Sequence, residues 1–480
     1  MQRSSRGSAV AIFVVALAVR GGVALWGGSR FTPAEDGHFY HVVATRIAEG
    51  LGYTWLWPDG AVTYAAHYPV GYPGLIALGY WLFGASPGVA MGGSAVLGSF
   101  AAVAAARIVS SYVSATAGLL AGLLVAFHPA LVAYTPALMT EGVTASLLMI
   151  AGWLSVYARA AAARRRALLL VALGCISGLA VLVRPQCLLL APLFGVMAAS
   201  GGRGRTTAAA LVTGLAVLVC TPWTLRNCER MGRCVFVSAN GGWNLLIGTA
   251  AEGRGSWVPL ERIGVPEACR NEFREAFKDQ CFGHAALERI REAPLAWLSL
   301  VPDKLSATFD YSGAPGWYLH ASNPRAVPER AKVWLGAFET LVERVLLAVA
   351  LGALALRTGR FAAVRVWIAA AGAVSLLAPI AWPAYLAVPV LAVLRGRRVL
   401  EDPAALLAGG AVLATALAHA LFFGAGRYSM ICFPMIAALA GSAFGPGLYE
   451  WWAKARLRLP GIDGLLTRRS RAGDTSSRRS

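Results

Sequence analysis

The sequence predicts an all-α polytopic membrane protein, and three observations carry that prediction. Hydrophobic residues make up 57% of the 480-residue chain and charged residues only 14%. Many apolar runs reach the roughly 20 residues that cross about 30 Å of hydrocarbon. Basic residues fall in alternate loops between those runs, the pattern of a chain threaded repeatedly through a bilayer.

Taken in order, spans are expected near residues 9–28, 88–106, 114–133, 139–158, 167–183, 186–200, 206–222, 341–356, 366–381, 383–394, 404–423 and 429–446. That amounts to about twelve transmembrane helices. Arg107, the cluster from Arg159 to Arg166, Arg203 and Arg205, Arg357 to Arg365 and Arg395 to Arg398 mark the cytoplasmic loops. Arg3 and Arg6 precede the first span and Lys454 to Arg479 follow the last, so both termini are expected in the cytoplasm. The two long loops, 29–87 and 223–340, then face the outer, periplasmic side of a bacterial inner membrane. Arg30 and Arg46 in the first are outnumbered by Glu35, Asp36, Glu49 and Asp59. The formal charge of +19 is therefore a topology signal and not a nucleic-acid footprint. The chain is read as one membrane domain, 1–446, with a basic cytoplasmic tail, 447–480. Its first apolar run is read as a retained signal anchor.

Four cysteines, Cys175, Cys187, Cys220 and Cys432, lie in spans, where a free thiol behaves as a small apolar group. The other four lie in the second outer loop, where an oxidising compartment favours disulfides. Cys228 and Cys234 bracket a short turn, CERMGRC, leaving Cys269 to pair with Cys281. The spacing fits neither a zinc ribbon nor a redox motif.

The first outer loop holds the most informative stretch. Thr32, Pro33 and Glu35 read as a helix N-terminus: a capping hydroxyl, a proline in the first turn and a carboxylate returning to the cap. A helix is expected from about Pro33 to Glu49, ending at Gly50. Asp36 lies in its first turn, and Tyr40 one turn later on the same face could orient the carboxylate. The acidic pair, Asp36 above all and Glu35 beside it, is the candidate for catalysis. His38, His41 and His67 are too irregularly spaced to assign a metal site. His67-Tyr68-Pro69-Val70-Gly71-Tyr72-Pro73 is an aromatic turn leading into a short apolar segment at the membrane interface.

These stretches recur in an order that resembles a known family. After the first span come DGHFYHVVATRIAEGLGY, HYPVGYPGLIALGYWLFG, ALMTEG, GLAVLVRP, TPWTLRNCERMGRCVFVSANGGWNLLIGT and GRYSMICFP. Together they resemble the GT-C fold membrane glycosyltransferases, in particular the superfamily of dolichyl-phosphate-mannose protein mannosyltransferases and lipid A aminoarabinose transferases. The likeness runs from about residue 10 to 445, with two departures. The usual aspartate-glutamate order reads Glu35-Asp36 here, and the tyrosine-proline-proline-glycine turn reads Tyr68-Pro69-Val70-Gly71.

The resemblance implies transfer of a sugar from a polyprenyl-phosphate donor, with inversion, to a protein, lipid or glycan acceptor on the outer face. Asp36 would be the general base, its pKa raised by partial burial. The leaving phosphate needs cations, and Arg184, Arg226 and Arg427 lie at outer ends of spans, with Lys304 a weaker candidate. Tyr40, His67, Tyr68, Glu141, Asn240, Trp243 and Tyr428 are candidates for the substrate cavity. The segment from Val235 to Thr249 combines a β-rich start with Asn240 and Trp243, suited to sugar hydroxyls and sugar faces respectively. No cofactor is fixed by the sequence, and a divalent metal stays compatible with it. The competing class is a transporter or flippase, which would carry ionisable residues deep in two repeated halves. Here the polar residues gather at one outer face, and a cavity shared by Asp36 and Arg184 would favour the transferase.

Overall fold

The computed structural model describes residues 2–357 and 360–445, with side chains described from residue 7. The basic tail, 447–480, and the side chains of Arg3 and Arg6 lie outside the described residues. The described chain is mostly helical, and its one two-stranded sheet pairs Thr54–Leu56 with Val62–Tyr64 in antiparallel register, Trp55 opposite Thr63.

Among the described residues, six helices are long and apolar enough to cross a bilayer by length and composition. They are Gly7–Gly28 (the apolar part of Gln2–Gly28), Pro87–Ser110, Thr140–Ala160, Ala163–Val183, Gly202–Arg230 and Pro403–Leu421. Five other apolar helices among the described residues are shorter, and the run expected at 341–356 is the second half of the 28-residue helix Glu329–Leu356, whose first half carries charged residues. The run expected at 114–133 is interrupted at His128-Pro129, where Ala115–Ala126 ends and Pro129–Ala133 begins. Proline lacks the amide that would continue the ladder. The run expected at 186–200 opens as a 3-10 turn, Pro185–Leu190, before Ala191–Ala198.

The core axis is the nine-residue helix Phe433–Gly441, every residue of which is buried. It packs on Ala115–Ala126 and Glu329–Leu356. Small residues permit the approach: a Cβ on Gly441 would sit 2.5 Å from the Ala121 Cα. Lipid-embedded helices gain little from burying apolar surface against one another, so close packing of small residues takes its place. Arg20 is buried in the bundle, and donates to the Leu131 and Val125 carbonyls at 2.6 and 2.8 Å. It thereby satisfies one carbonyl at the end of Ala115–Ala126 and one in the short helix Pro129–Ala133.

The two long loops, 29–87 and 223–340, pack against each other, Glu275 of the second accepting from the Ala66 and His67 amides of the first. Cys228 is joined to Cys234 and Cys269 to Cys281. The second loop carries helices Gly241–Ile247, Glu267–Arg270, Glu275–Glu292 and Pro294–Ser299. Its β-rich start forms no strand, because side chains at the end of Gly202–Arg230 take its carbonyls. Trp223 donates to Val237 at 2.9 Å, Thr224 to Phe236 at 2.6 Å and Asn227 to Val235 at 3.2 Å.

Candidate functional site

The helix carrying the acidic pair starts later than its sequence signals indicate. It runs Asp36–Ala48, and neither Thr32 nor Glu35 makes a capping bond. Glu35 instead takes a positive φ of 51°, a conformation that costs a non-glycine residue energy, and its side chain is exposed. The backbone reversal aims Asp36, the first helical residue, into the bundle. The Tyr68 hydroxyl donates to Asp36 Oδ1 at 2.7 Å, and Arg427 Nη1 lies 2.8 Å from Asp36 Oδ2. Tyr40 does not reach the carboxylate; it is buried with its ring against Tyr68 and Tyr72. Tyr68 therefore holds the orienting role that the sequence suggested for Tyr40.

Four charges form one chain. Arg427 bridges Asp36 to Glu141, its Nε lying 3.6 Å from Glu141 Oε1. Glu141 is fully buried and accepts from the Tyr134 hydroxyl at 3.2 Å and from Arg184. Arg184 Nε is fixed by Thr140 Oγ1 at 2.8 Å. The Tyr428 ring lies 5.0 Å from the guanidinium group of Arg184 and 5.2 Å from that of Arg427, and stacks on His419. Cation–π contacts of this kind are worth about 0.5–2 kcal/mol. Burial on its own would raise the Asp36 pKa, as expected from the sequence. The Arg427 charge, the Tyr68 and Arg427 hydrogen bonds and the Arg184 charge outweigh it, and the carboxyl rests below its ordinary value.

A wall beside this cluster joins the two loops. The His67 ring sits edge-on between Tyr68 and Trp243, with centroids 4.7 and 5.3 Å away, and burial lowers its pKa to about 4. Two carboxylates not foreseen from the sequence fix this wall. Glu275 Oε2 accepts from the backbone amides of Ala66 at 2.6 Å and His67 at 3.0 Å. Asp279, one turn on, accepts from the Trp243 amide at 2.9 Å. A Cβ on Gly242 would lie 1.8 Å from the Asp279 carbonyl oxygen, so only glycine fits there. The i, i+4 spacing of Glu275 and Asp279 was the available signal.

Three further candidates are engaged elsewhere. Arg226 donates to the carbonyls of Ala65 at 2.8 Å and Tyr53 at 2.9 Å and packs on the rings of Tyr53, Tyr64 and Trp223. It pins the β-hairpin to the end of Gly202–Arg230. Lys304 is fully buried and caps Pro403–Leu421, donating to the carbonyls of Ala420 at 3.2 Å and Leu421 at 3.4 Å; burial lowers its pKa to about 8. Asn240 caps Gly241–Ile247 through its backbone, and its side chain accepts from Ser238 at 3.0 Å. Among the described residues, no three His, Cys, Asp or Glu side chains are grouped to hold a metal ion. His41 instead bonds the Tyr80 hydroxyl at 2.7 Å.

Tyr68, Glu141 and Arg184 thus sit together in a segment that carries a family signature. Residues 67–225 match the family model of dolichyl-phosphate-mannose-protein mannosyltransferase. The match bears out, over that segment, the resemblance read from the sequence. Asp36 and Arg427 lie to either side of the matched residues. No curated protein sequence matches the chain. Among solved structures, the chain is similar to ArnT from Cupriavidus metallidurans bound to undecaprenyl phosphate. Identity is 17%, with 92% of this chain and 78% of that one covered and a TM-score of 0.40. It is also similar to the archaeal oligosaccharyltransferase AglB from Archaeoglobus fulgidus, in complex with an inhibitory peptide and a dolichol-phosphate. There identity is 14%, coverage 94% of this chain and 51% of that one, and the TM-score 0.45.

Proposed function

We propose that the chain is an integral membrane glycosyltransferase of the GT-C type. It moves a sugar from a polyprenyl-phosphate donor to a protein, lipid or glycan acceptor on the periplasmic face of the bacterial inner membrane, with inversion. The observation that carries the reading is the run Asp36, Arg427, Glu141, Arg184, in which a carboxylate that can take a proton lies beside two guanidinium groups that can take a phosphate. The same juxtaposition favours a transferase over a transporter.

In the proposed reaction the acceptor oxygen attacks the anomeric carbon from the face opposite the phosphate. Its proton passes to Asp36, and the bond between the anomeric carbon and the phosphate oxygen breaks, its electron pair leaving with the polyprenyl phosphate. Tyr68 holds the Asp36 carboxylate in place, and a preorganised base needs no reorganisation as the proton arrives. Arg427 and Arg184 are the cations for the leaving phosphate, the planar fork of arginine suiting paired phosphate oxygens. His67, held neutral, and the Trp243 ring, set edge to face, line the wall on which a sugar would rest. Glu35, exposed and turned away, has no part in the transfer, and Arg226 and Lys304 act on the scaffold.

The test is transfer of radiolabel from a panel of polyprenyl-phosphate sugars to a membrane extract by purified protein in lipid. Label moved by wild type and not by Asp36→Asn supports the reading. Folded wild type that moves no label from any donor returns the weight to the transporter.

A further inference from the structure

Resting on that reading, we propose that Arg427 is shared between base and donor. In the structure it is ion-paired with Asp36; the phosphate of the incoming donor draws it away, and the base is released only when the donor is seated.

The four charges of the cluster sum to zero, two carboxylates against two guanidinium groups. A phosphodiester entering the cluster adds a negative charge and must take a cation from one of the existing pairs. The two arginines are not equally available. Arg184 is fixed by Thr140 and by the fully buried Glu141, and its side chain is only 12% exposed. Removing a partner from a buried pair of this kind is strongly unfavourable. Arg427 and Asp36 are 27% and 23% exposed, and water screens part of their attraction. Arg427 is also already directed at two anionic groups, 2.8 Å from Asp36 and 3.6 Å from Glu141, so a small rotation over the Tyr428 ring moves it from one to the other. The pair that yields is therefore Arg427 with Asp36.

Asp36 does not become free in every respect when Arg427 leaves. Tyr68 keeps its 2.7 Å bond. Arg184 still acts at longer range, and Tyr40, Glu141, His67 and Tyr318 face the same space. What Asp36 loses is its nearest cation, and with it the largest of the influences that oppose its protonation. Donor binding thus strengthens the base, and the donor must bind before the acceptor proton can be taken.

The experiment follows the Asp36 carboxyl stretch by infrared difference spectroscopy, wild type minus Asp36→Asn, over a pH series. Full-length protein in lipid is used with and without undecaprenyl phosphate, and bound lipid is quantified by radiolabel. The expected result is a titration midpoint that rises by at least one pH unit, a tenfold gain in proton affinity, when the lipid phosphate binds. In Arg427→Gln the midpoint is already raised and no longer responds. Arg427→Lys, which keeps a charge without the fork, gives an intermediate midpoint and stands in if the glutamine variant does not fold. A wild-type midpoint unmoved by bound lipid phosphate overturns the proposal, as does an Arg427 variant that titrates like wild type. Sugar transfer with an immobile midpoint leaves the enzymatic reading standing and this inference fallen; a mobile midpoint without transfer does the reverse.

Discussion

Replacing Glu275 tests how the aromatic wall is held, and the geometry sets the size of the effect. One oxygen, Oε2, accepts both amide bonds, from Ala66 at 2.6 Å and His67 at 3.0 Å. Glutamine can keep its carbonyl oxygen in that place and forfeits only the charge assistance, a loss of about 1–2 kcal/mol over the two bonds. Alanine leaves both amides without a partner in a part-buried position, a loss of about 2–4 kcal/mol. Since about 1.4 kcal/mol is a factor of ten, local opening at Ala66 and His67 should become roughly 5- to 30-fold more frequent in Glu275→Gln and roughly 30- to 1,000-fold in Glu275→Ala. Hydrogen exchange read by mass spectrometry on the peptide containing these two residues gives the ratio directly. Glu288→Gln, an exposed position on the same helix, should change nothing. Unchanged exchange at Ala66 and His67 in Glu275→Ala would refute the idea that this carboxylate fixes the wall.

Other predictions concern the same region. Gly242→Ala should separate Gly241–Ile247 from Glu275–Glu292, since the new Cβ meets the Asp279 carbonyl; a change in Trp243 fluorescence and faster proteolysis of the second loop would show it. Trp243→Ala, which removes one face of the wall, should raise the KM for the sugar donor about tenfold while changing kcat less, measured in the transfer assay. His67 has its folded pKa lowered to about 4 from an ordinary 6.5, so in the window between them the unfolded chain binds the extra proton. Stability should therefore fall as pH drops from 6.5 toward 4, and the melting temperature of His67→Gln should fall less over the same window. Reducing the two disulfides, which close short loops of 6 and 12 residues, should cost about 2 kcal/mol each, near the low end for such bonds, read as a lowered melting temperature.

The membrane character of the fold is legible in the sequence because it depends on long averages: apolar run length and the spacing of arginines survive small local errors. The site is legible in part, and for a different reason. Asp36, Glu141, Arg184 and Arg427 are each an ionisable residue beside an apolar run, an expensive placement that draws notice. Their pairing is set by contacts between distant segments and has no local signal. Arg226 and Lys304 share that conspicuous placement, yet their donors go to backbone carbonyls, and nothing in the local sequence separates an arginine awaiting an anion from one satisfying a helix end. The cap at Thr32 failed for a related reason. The residue pattern was adequate, but the turn packs instead against the Tyr318 hydroxyl, which accepts from the Ala34 amide at 3.3 Å.

The positive φ at Glu35 has a consequence for how neighbouring acidic groups can be exchanged. Two adjacent carboxylates stand in this loop, and what distinguishes them is a single backbone rotation that sends one outward and the other toward the arginines. Interchanging Glu35 and Asp36 would preserve composition and charge yet present a side chain longer by one methylene to the space that now accommodates aspartate. Replacing Glu35 with glycine, for which the rotation is easy, would retain the aim of Asp36 and remove strain. Chemical selection between these two neighbours is written in the main chain, one residue upstream of the group that is selected.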